Sequence, residues 1–351
     1  MRDKILRGGG TGQRDNALDM MKGWLAALMV ASHLTYAVPF EWKDGFNTYV
    51  NLTTFSGFMF CFGYVCWKAY IEKDREDIAK RLGKGALKSL LAFYICGIGY
   101  YVRGTVQDWE SVILLQRLPG MTEFLFSFSL MYILILIFRG QLKKLSLENG
   151  IGISVISLAA IVIFPFEIIT DPVMGSIFGT TSYYSFPLMA YLVYFIMGSL
   201  LAKYQVVFEK CLFLLTCVST GTFFYFCRRN GTLPGRFPPT VWWILGGSLF
   251  IYIYYCIFKL ISQKGMEIKP LVFMGRHTLV FLVVSDLLLF ILWNNLIDEK
   301  IWETISVNRW GLRYLVYIVI SFIVSWSGIW VNERWQIYRR ARQSQSPVPG
   351  E

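Results

Sequence analysis

The segment LDMMKGWLAALMVASH, residues 18–33, is an apolar run that carries Asp19, Lys22 and His33. Apolar runs of about 18 or more residues with few charges are typical of membrane-spanning helices. Ionisable side chains are costly inside a bilayer, and a helix that only crosses it does not need them. The segment therefore predicts a membrane span whose three polar residues have a function.

The composition of the whole chain agrees with a membrane protein. Of the 351 residues, 55% are hydrophobic and 16% are charged, whereas a soluble domain carries about 25% charged residues. Ten apolar segments are each long enough to cross a hydrocarbon core of about 30 Å. They are residues 18–39, 46–67, 84–102, 121–138, 151–170, 184–202, 211–227, 239–260, 270–293 and 312–332.

These segments predict an all-α fold, a polytopic membrane helix bundle of about ten transmembrane helices. We expect residues 1–17 and 336–351 to be cytoplasmic tails and residues 18–335 to form a single transmembrane domain. With the N-terminus in the cytoplasm, 22 of the 34 Lys and Arg residues fall in inner connections and 9 in outer ones. Basic residues concentrate in cytoplasmic loops, so both termini are predicted to be cytoplasmic.

The net charge of +11 therefore indicates cytoplasmic loops, and we expect no nucleic-acid partner. The apolar segments make the lipid bilayer an expected partner. The seven cysteines lie in or beside apolar runs without the close paired spacing of a zinc site. They are interpreted as small buried hydrophobic residues, and no metal site is expected.

Ionisable residues within the predicted spans fall into two layers. The inner layer, near the cytoplasmic ends of the first and ninth spans, contains Lys22 and Arg276, and Asp19 lies at the same end of the first span as Lys22. The outer layer contains His33, Glu123, Glu167 and Asp286. Ionisable residues inside a membrane are candidates for function by default.

Lys22 and His33 are 11 residues apart, which in a helix corresponds to about 1,100° of rotation and about 16 Å of rise. The two side chains therefore share one face, and Asp19 can pair with Lys22 on it. This spacing suits a ligand with an anionic head and a long arm, such as acyl-coenzyme A. Lys22, with Arg276 as a second candidate, would hold its phosphates.

At the other end of such a ligand, His33 would meet the acyl carbonyl as a general base, because an unperturbed imidazole titrates near pH 6.5. A carboxylate of the outer layer, Glu123 or Asp286, would orient it. The alternatives are that Asp19 and Lys22 form an interfacial ion pair without a ligand, and that His33 makes a structural hydrogen bond between helices. His277, beside Arg276, is more often structural.

The first segment resembles the opening motif of acyltransferase family 3, the integral membrane acyltransferases of the O-antigen O-acetylase type. In that motif Leu-Asp-x-x-Arg/Lys-Gly is followed by an aliphatic run and a His, here Leu18, Asp19, Lys22, Gly23 and His33. Lys at the basic position is similar to the branch with the fucose 4-O-acetylase relatives. Three later stretches also resemble the family: FSGFMFCFGY (55–64), FPLMAYLVYFIMGSLLAKY (186–204) and MGRHTLVFLVVSD (274–286).

The resemblance implies transfer of an acyl group, usually acetyl, from cytoplasmic acyl-coenzyme A as the donor substrate, with no permanently bound cofactor. The acceptor implied is a sugar hydroxyl on a glycan or lipid-linked precursor, in a bacterial cytoplasmic membrane, and His33 is implied as the catalytic histidine. The late family motif often has Asn where His277 stands and His where Ser285 stands, so a role of that second histidine does not transfer.

Three arginines follow the seventh segment in a predicted outer loop: Arg228, Arg229 and Arg236. They are candidates for contact with an anionic glycan, although a solvated basic loop is the commoner interpretation.

Two other functions remain open. In a transporter or flippase, His33, Glu123 and Asp286 would form a proton relay. Transporters often have internal repeats and broken helices, and the sequence indicates neither. The other alternative is a non-catalytic partner in a glycan-assembly complex. This hypothesis predicts no binding of coenzyme A.

Overall fold

The computed structural model describes residues 15–35, 43–73, 76–102, 108–116, 118, 122–292 and 310–345. These ranges contain fourteen α-helices and no β-strand, which confirms the all-α prediction. The helices are α1 (Asn16–Leu34), α2 (Lys43–Cys66), α3 (Ile78–Val102), α4 (Trp109–Ile113), α5 (Glu123–Lys143), α6 (Leu147–Ile163), α7 (Pro172–Phe178), α8 (Leu188–Tyr204), α9 (Lys210–Asn230), α10 (Val241–Gly246), α11 (Ser248–Gln263), α12 (Lys269–Arg276), α13 (Thr278–Leu292) and α14 (Trp310–Gln345). A π-helical turn, Trp67–Ile71, continues α2, and a 3-10 turn, Phe166–Ile168, precedes α7.

Several helices are long and apolar enough to cross a membrane. In the described ranges six stretches qualify: Lys43–Ile71, Ile78–Gly99, Glu123–Lys143, Lys210–Asn230, Val241–Gln263 and Tyr314–Trp335. The bent pair α12 and α13 adds a seventh when counted as one span, and α6 and α8 are shorter apolar helices. The chain is thus an integral membrane protein by the length and composition of its helices. The count of ten spans and the orientation stay predictions.

Helix α1 lies in the middle of the bundle. It contacts α2, α11, α12, α13 and α14, and thirteen of its 19 residues are buried. A helix that is apolar nearly all round is expected to be enclosed by others. The polar groups of α1 therefore meet groups from several different helices.

Helix α12 crosses the start of α1 at very short range, because each helix has a glycine at the crossing. A Cβ atom on Gly275 would lie 1.7 Å from the carbonyl oxygen of Asp19, and one on Gly23 would lie 2.1 Å from that of Leu271. Small residues at a membrane helix interface let two backbones approach in this way. The crossing places the end of α12 beside the inner polar residues of α1.

Two sequence-based predictions about segments were wrong. The ninth segment, predicted as one span, is broken: α12 and α13 meet at an angle of 87°, with His277 at the break. The predicted absence of broken helices is wrong for the same reason. Residues 336–345, predicted to belong to the C-terminal tail, continue α14 as a helix, and their assignment to the cytoplasm stays a prediction. Residues 1–14, 36–42, 103–107, 293–309 and 346–351, which include parts of the predicted tails and outer loops, lie outside the described residues.

Candidate functional site

The C-terminal end of α1 carries a histidine–carboxylate pair. His33 Nδ1 lies 3.1 Å from Oδ1 of Asp286 on α13, and the side chains are 16% and 2% exposed. When Asp286 is ionised its carboxylate can only accept, and in that state Nδ1–H donates and Nε2 is left for another partner. The second oxygen of Asp286, Oδ2, is buried and has no hydrogen-bond partner among the described residues. The structure thus brings together two residues that the sequence placed in the outer layer.

Glu123 belongs to the same cluster. It is the first residue of α5 and is only 6% exposed, and it interacts electrostatically with both Arg236 and His33. Its Oε2 atom is buried and, like Asp286 Oδ2, has no hydrogen-bond partner within the described part of the chain. His33, Asp286 and Glu123 are hereafter called the outer cluster.

Glu167 does not belong to the outer cluster, contrary to the predicted layering. It lies exposed in the 3-10 turn that precedes α7. The predicted fifth span continued to residue 170, but α6 ends at Ile163. Pro165 follows closely and cannot donate to a helical hydrogen bond, so Glu167 lies beyond the helix.

A hydrogen-bonded group that the sequence analysis missed holds the end of α1 beside His33. The Ser32 hydroxyl donates to Asn47 Oδ1 at 2.7 Å, and Asn47 Nδ2 donates to the Thr35 hydroxyl at 2.8 Å. Tyr314 on α14 donates to the carbonyl of Ala31 at 2.8 Å. Polar residues on both sides of His33, and an Asn near the start of the next apolar segment, were the available signals.

At the N-terminal end of α1, Asp19 lies between two cations. Its carboxylate is 2.7 Å from Lys22 Nζ and 3.7 Å from Arg276 Nε. Arg276 also donates through Nη2 to Asn16 Oδ1 at 3.2 Å. Asp19 is 4% exposed, whereas Lys22 is 21% and Arg276 43% exposed. The inner layer predicted from the sequence is therefore a contiguous group.

A third cation joins this end from α11. Lys259 forms an ion pair with Asp15 and donates to the Tyr64 hydroxyl at 2.8 Å. Asp15 is also the N-cap of α1, because its side chain accepts from the backbone of Ala17. Lys259 lies near the end of the eighth apolar segment, and the sequence alone did not connect it with α1. Asp15, Asp19, Lys22, Lys259 and Arg276 are hereafter called the inner cluster.

The face of α1 between the two clusters is packed. Ala26 and Met29 lie on the face shared by Lys22 and His33, and they are 0% and 8% exposed. The half-buried positions between the clusters, Trp24, Ala27 and Ala31, are on the opposite side of the helix. The expected lane for an extended ligand arm along this face is therefore closed in this structure, because neighbouring helices pack against it.

The three outer arginines do not act as one group. Arg228 and Arg229 lie in the last turn of α9, not in a loop, and both are exposed. Cations at that position complement the helix dipole. Arg236 is half-buried, with its guanidinium 4.5 Å from the ring centroid of Phe237 and 5.6 Å from that of Phe186. Only Arg236 is thus directed towards the outer cluster.

The outer cluster has the elements of a proton-transfer site: an imidazole oriented by the Asp286 carboxylate and a second carboxyl group, Glu123, that interacts with it electrostatically. No group of three or more His, Cys, Asp or Glu side chains able to hold a metal occurs in the described ranges. Comparisons of the chain with protein-family models, with curated proteins and with solved structures found no match. Function must therefore be inferred from the two clusters themselves.

Proposed function

We propose that this protein is a membrane O-acyltransferase. It moves an acyl group, acetyl in the simplest case, from cytoplasmic acyl-coenzyme A to a hydroxyl of a cell-envelope glycan or its precursor. The observation that carries the proposal is the contact of His33 Nδ1 with the buried carboxylate of Asp286, at 3.1 Å. The family-3 resemblance of residues 18–33 points to the same histidine.

The proposed chemistry uses His33 as a general base and then as a general acid. Asp286 accepts from Nδ1–H and so holds the tautomer in which Nε2 is free. Nε2 takes the proton of the acceptor hydroxyl as its oxygen attacks the acyl carbonyl. The C–S bond of the thioester then breaks, and the imidazolium returns the proton to the departing thiolate. Asp286 stabilises the imidazolium throughout.

The inner cluster supplies the proposed donor-binding end. Lys22 and Arg276 are partly exposed beside Asp19, and a guanidinium has five N–H donors, so it can contact a phosphate while it keeps its present partners. The rise of α1 from Lys22 to His33, about 16 Å, suits an extended arm. Because Ala26 and Met29 are packed, the proposal requires that the helices beside this face separate when the donor binds.

The proposal is tested with purified protein in lipid nanodiscs, supplied with radiolabelled acetyl-coenzyme A and an envelope extract. We expect label in the glycan fraction, and mass spectrometry of envelope glycans with and without the protein would then identify the acceptor. No binding of acetyl-coenzyme A and no labelled product would contradict the proposal.

One observation favours a second candidate, a proton-coupled transporter or flippase. Broken helices are frequent in transporters, and α12 and α13 meet at 87° between residues that contact the inner and outer clusters. In that function His33, Glu123 and Asp286 would relay protons. Flux of a glycan precursor into proteoliposomes without any acyl donor would support transport.

A further inference from the structure

Glu123 interacts with two ionisable side chains that come from distant parts of the sequence. It interacts electrostatically with Arg236, from the α9–α10 connection, and with His33, from the end of α1. Its Oε2 atom is buried without a hydrogen-bond partner among the residues described. Since Asp286 already occupies Nδ1 of His33, Glu123 is not needed to orient that ring. A buried carboxylate oxygen without a partner is costly and needs an explanation.

Aromatic rings border the same region. Ser127, one turn into α5, donates to the carbonyl of Phe186 at 2.9 Å, which holds Phe186 beside the first turn of α5. The rings of Phe186 and Phe237 are 5.5 Å apart, and Tyr184 lies 5.0 Å from Phe237. Tyr184 is 67% exposed. Arg236 therefore lies against an aromatic wall that continues from the buried Phe186 to the exposed Tyr184.

The chemistry of this region matches a sugar. A guanidinium only donates hydrogen bonds and a carboxylate only accepts them, whereas a sugar hydroxyl does both. Binding sites commonly combine aromatic walls with a few polar groups that fix the orientation of the ligand. Glu123 and Arg236 can thus hold neighbouring hydroxyls while an aromatic ring covers the apolar face of the pyranose.

We infer that Glu123, Arg236, Phe186, Phe237 and Tyr184 form the acceptor subsite and that it binds a neutral sugar next to His33. The charge of Arg236 is offset by Glu123, and Asp286 adds a second carboxyl group beside His33. An anionic sugar would bring a further negative charge to these carboxyls, which disfavours it. The inference rests on the proposed function for its catalytic meaning, but sugar binding itself is measured without an acyl donor.

The first experiment compares two probes with the same ring, 4-nitrophenyl β-glucopyranoside and 4-nitrophenyl β-glucuronide. Their binding to the full chain in nanodiscs is measured by saturation-transfer NMR, without acetyl-coenzyme A. We expect the neutral glucoside to bind about tenfold more tightly than the glucuronide. Equal or tighter binding of the glucuronide, or no binding of either sugar, would overturn the inference.

Substitutions test which residues cause the preference for the glucoside over the glucuronide. Arg236→Met should weaken glucoside binding by about tenfold or more, the value of a hydrogen bond to a charged group. The matched control is Arg229→Met, at an exposed position in the last turn of α9. This variant should leave glucoside binding unchanged. Glu123→Gln removes a negative charge near Arg236 and should shift the preference towards the glucuronide. An unchanged preference in Glu123→Gln, or equal effects of the two arginine variants, would contradict the assignment.

A surface variant covers the case in which a buried variant does not fold. Tyr184→Ala alters a largely exposed ring and should weaken both sugars by the same factor, because stacking does not depend on sugar charge. Unaltered binding of both sugars would remove Tyr184 from the subsite. Glucoside binding without acyl transfer would overturn only the proposed function, and acyl transfer without sugar binding would overturn only the subsite.

Discussion

The two polar clusters at the ends of α1 differ in how completely their carboxylate groups are paired with neighbouring side chains. In the inner cluster, Asp19 contacts Lys22 and Arg276, and Asp15 contacts Lys259. In the outer cluster, Asp286 and Glu123 each keep one buried oxygen without a hydrogen-bond partner among the described residues. Buried polar groups are nearly always paired. We infer that the inner cluster is stable as it stands and that a substrate completes the outer one.

The largest effect is expected from His33→Ala. Removal of the proposed general base should lower kcat for acyl transfer by about a thousandfold or more. The matched control is His277→Ala, which removes the other histidine of the chain, paired with Glu333 at 2.8 Å, and should leave transfer within about threefold of wild type. The assay is transfer of labelled acetyl from acetyl-coenzyme A in membranes. Undiminished transfer by His33→Ala would exclude the catalytic assignment.

The second prediction concerns Asp286, the partner of His33, and its expected loss of kcat is somewhat smaller. Asp286→Asn keeps the shape of the side chain but removes the charge that holds the Nδ1–H tautomer, so kcat should fall by about a hundredfold. Glu333→Gln alters the other histidine–carboxylate pair, whose carboxylate is 43% exposed, and serves as the control. Steady-state kinetics should show an unchanged KM for the donor. Equal kcat values in Asp286→Asn and Glu333→Gln would contradict the assignment of the His33–Asp286 pair, and not the His277–Glu333 pair, to catalysis.

The third prediction concerns the crossing that builds the inner cluster. Gly275→Ala places a Cβ atom 1.7 Å from a backbone oxygen of α1, so the helices must separate, at a cost of about 1–3 kcal/mol or more in the free energy of unfolding. Gly221→Ala is the control, because no atom lies within 4 Å of its Cβ position. It should be neutral or stabilising by up to about 1 kcal/mol. Thermal unfolding in detergent measures both, and equal melting temperatures would contradict the close crossing.

The smallest effect is expected in the inner cluster itself. Lys22→Met should raise KM for acetyl-coenzyme A by about tenfold with little change in kcat, because it removes one of the proposed charge-assisted phosphate contacts. Lys68→Met is the comparison, since Lys68 also belongs to a helical ion pair, with Glu72 at 3.2 Å, but lies outside both clusters. The KM effect should weaken at high salt. A fall in kcat alone would place Lys22 in the chemical step instead.

Much of the architecture could be predicted from the sequence. Every one of the ten apolar segments contains a helix, because apolar length and helical periodicity are properties of the local chain. The break at His277 was not predicted, because the ninth segment carries no proline after Pro270, although Arg276 and His277 interrupt its apolar run at that point. The bend depends instead on the packing of α12 across α1, where Gly23 and Gly275 permit the close approach.

The candidate site was predicted as two layers, but not in its pairings. The sequence left open whether Glu123 or Asp286 meets His33, and the structure places Asp286 on Nδ1. The structure also separates Arg236 from Arg228 and Arg229, although all three arginines lie within nine consecutive residues of the sequence. Side-chain direction decides this, because Arg236 turns inward against Phe186 and Phe237 while the other two remain exposed.

The sequence by itself determined that this protein is helical and membrane-embedded, and that Lys22 and His33 share one face of α1. Those properties follow from composition and from the rise and rotation per residue of a helix, which need no tertiary contact. Only the tertiary structure decided which groups meet at each end, and that the face between them is packed. Contacts between residues more than two hundred positions apart, such as His33 and Asp286, depend on how whole helices pack, which no local pattern specifies.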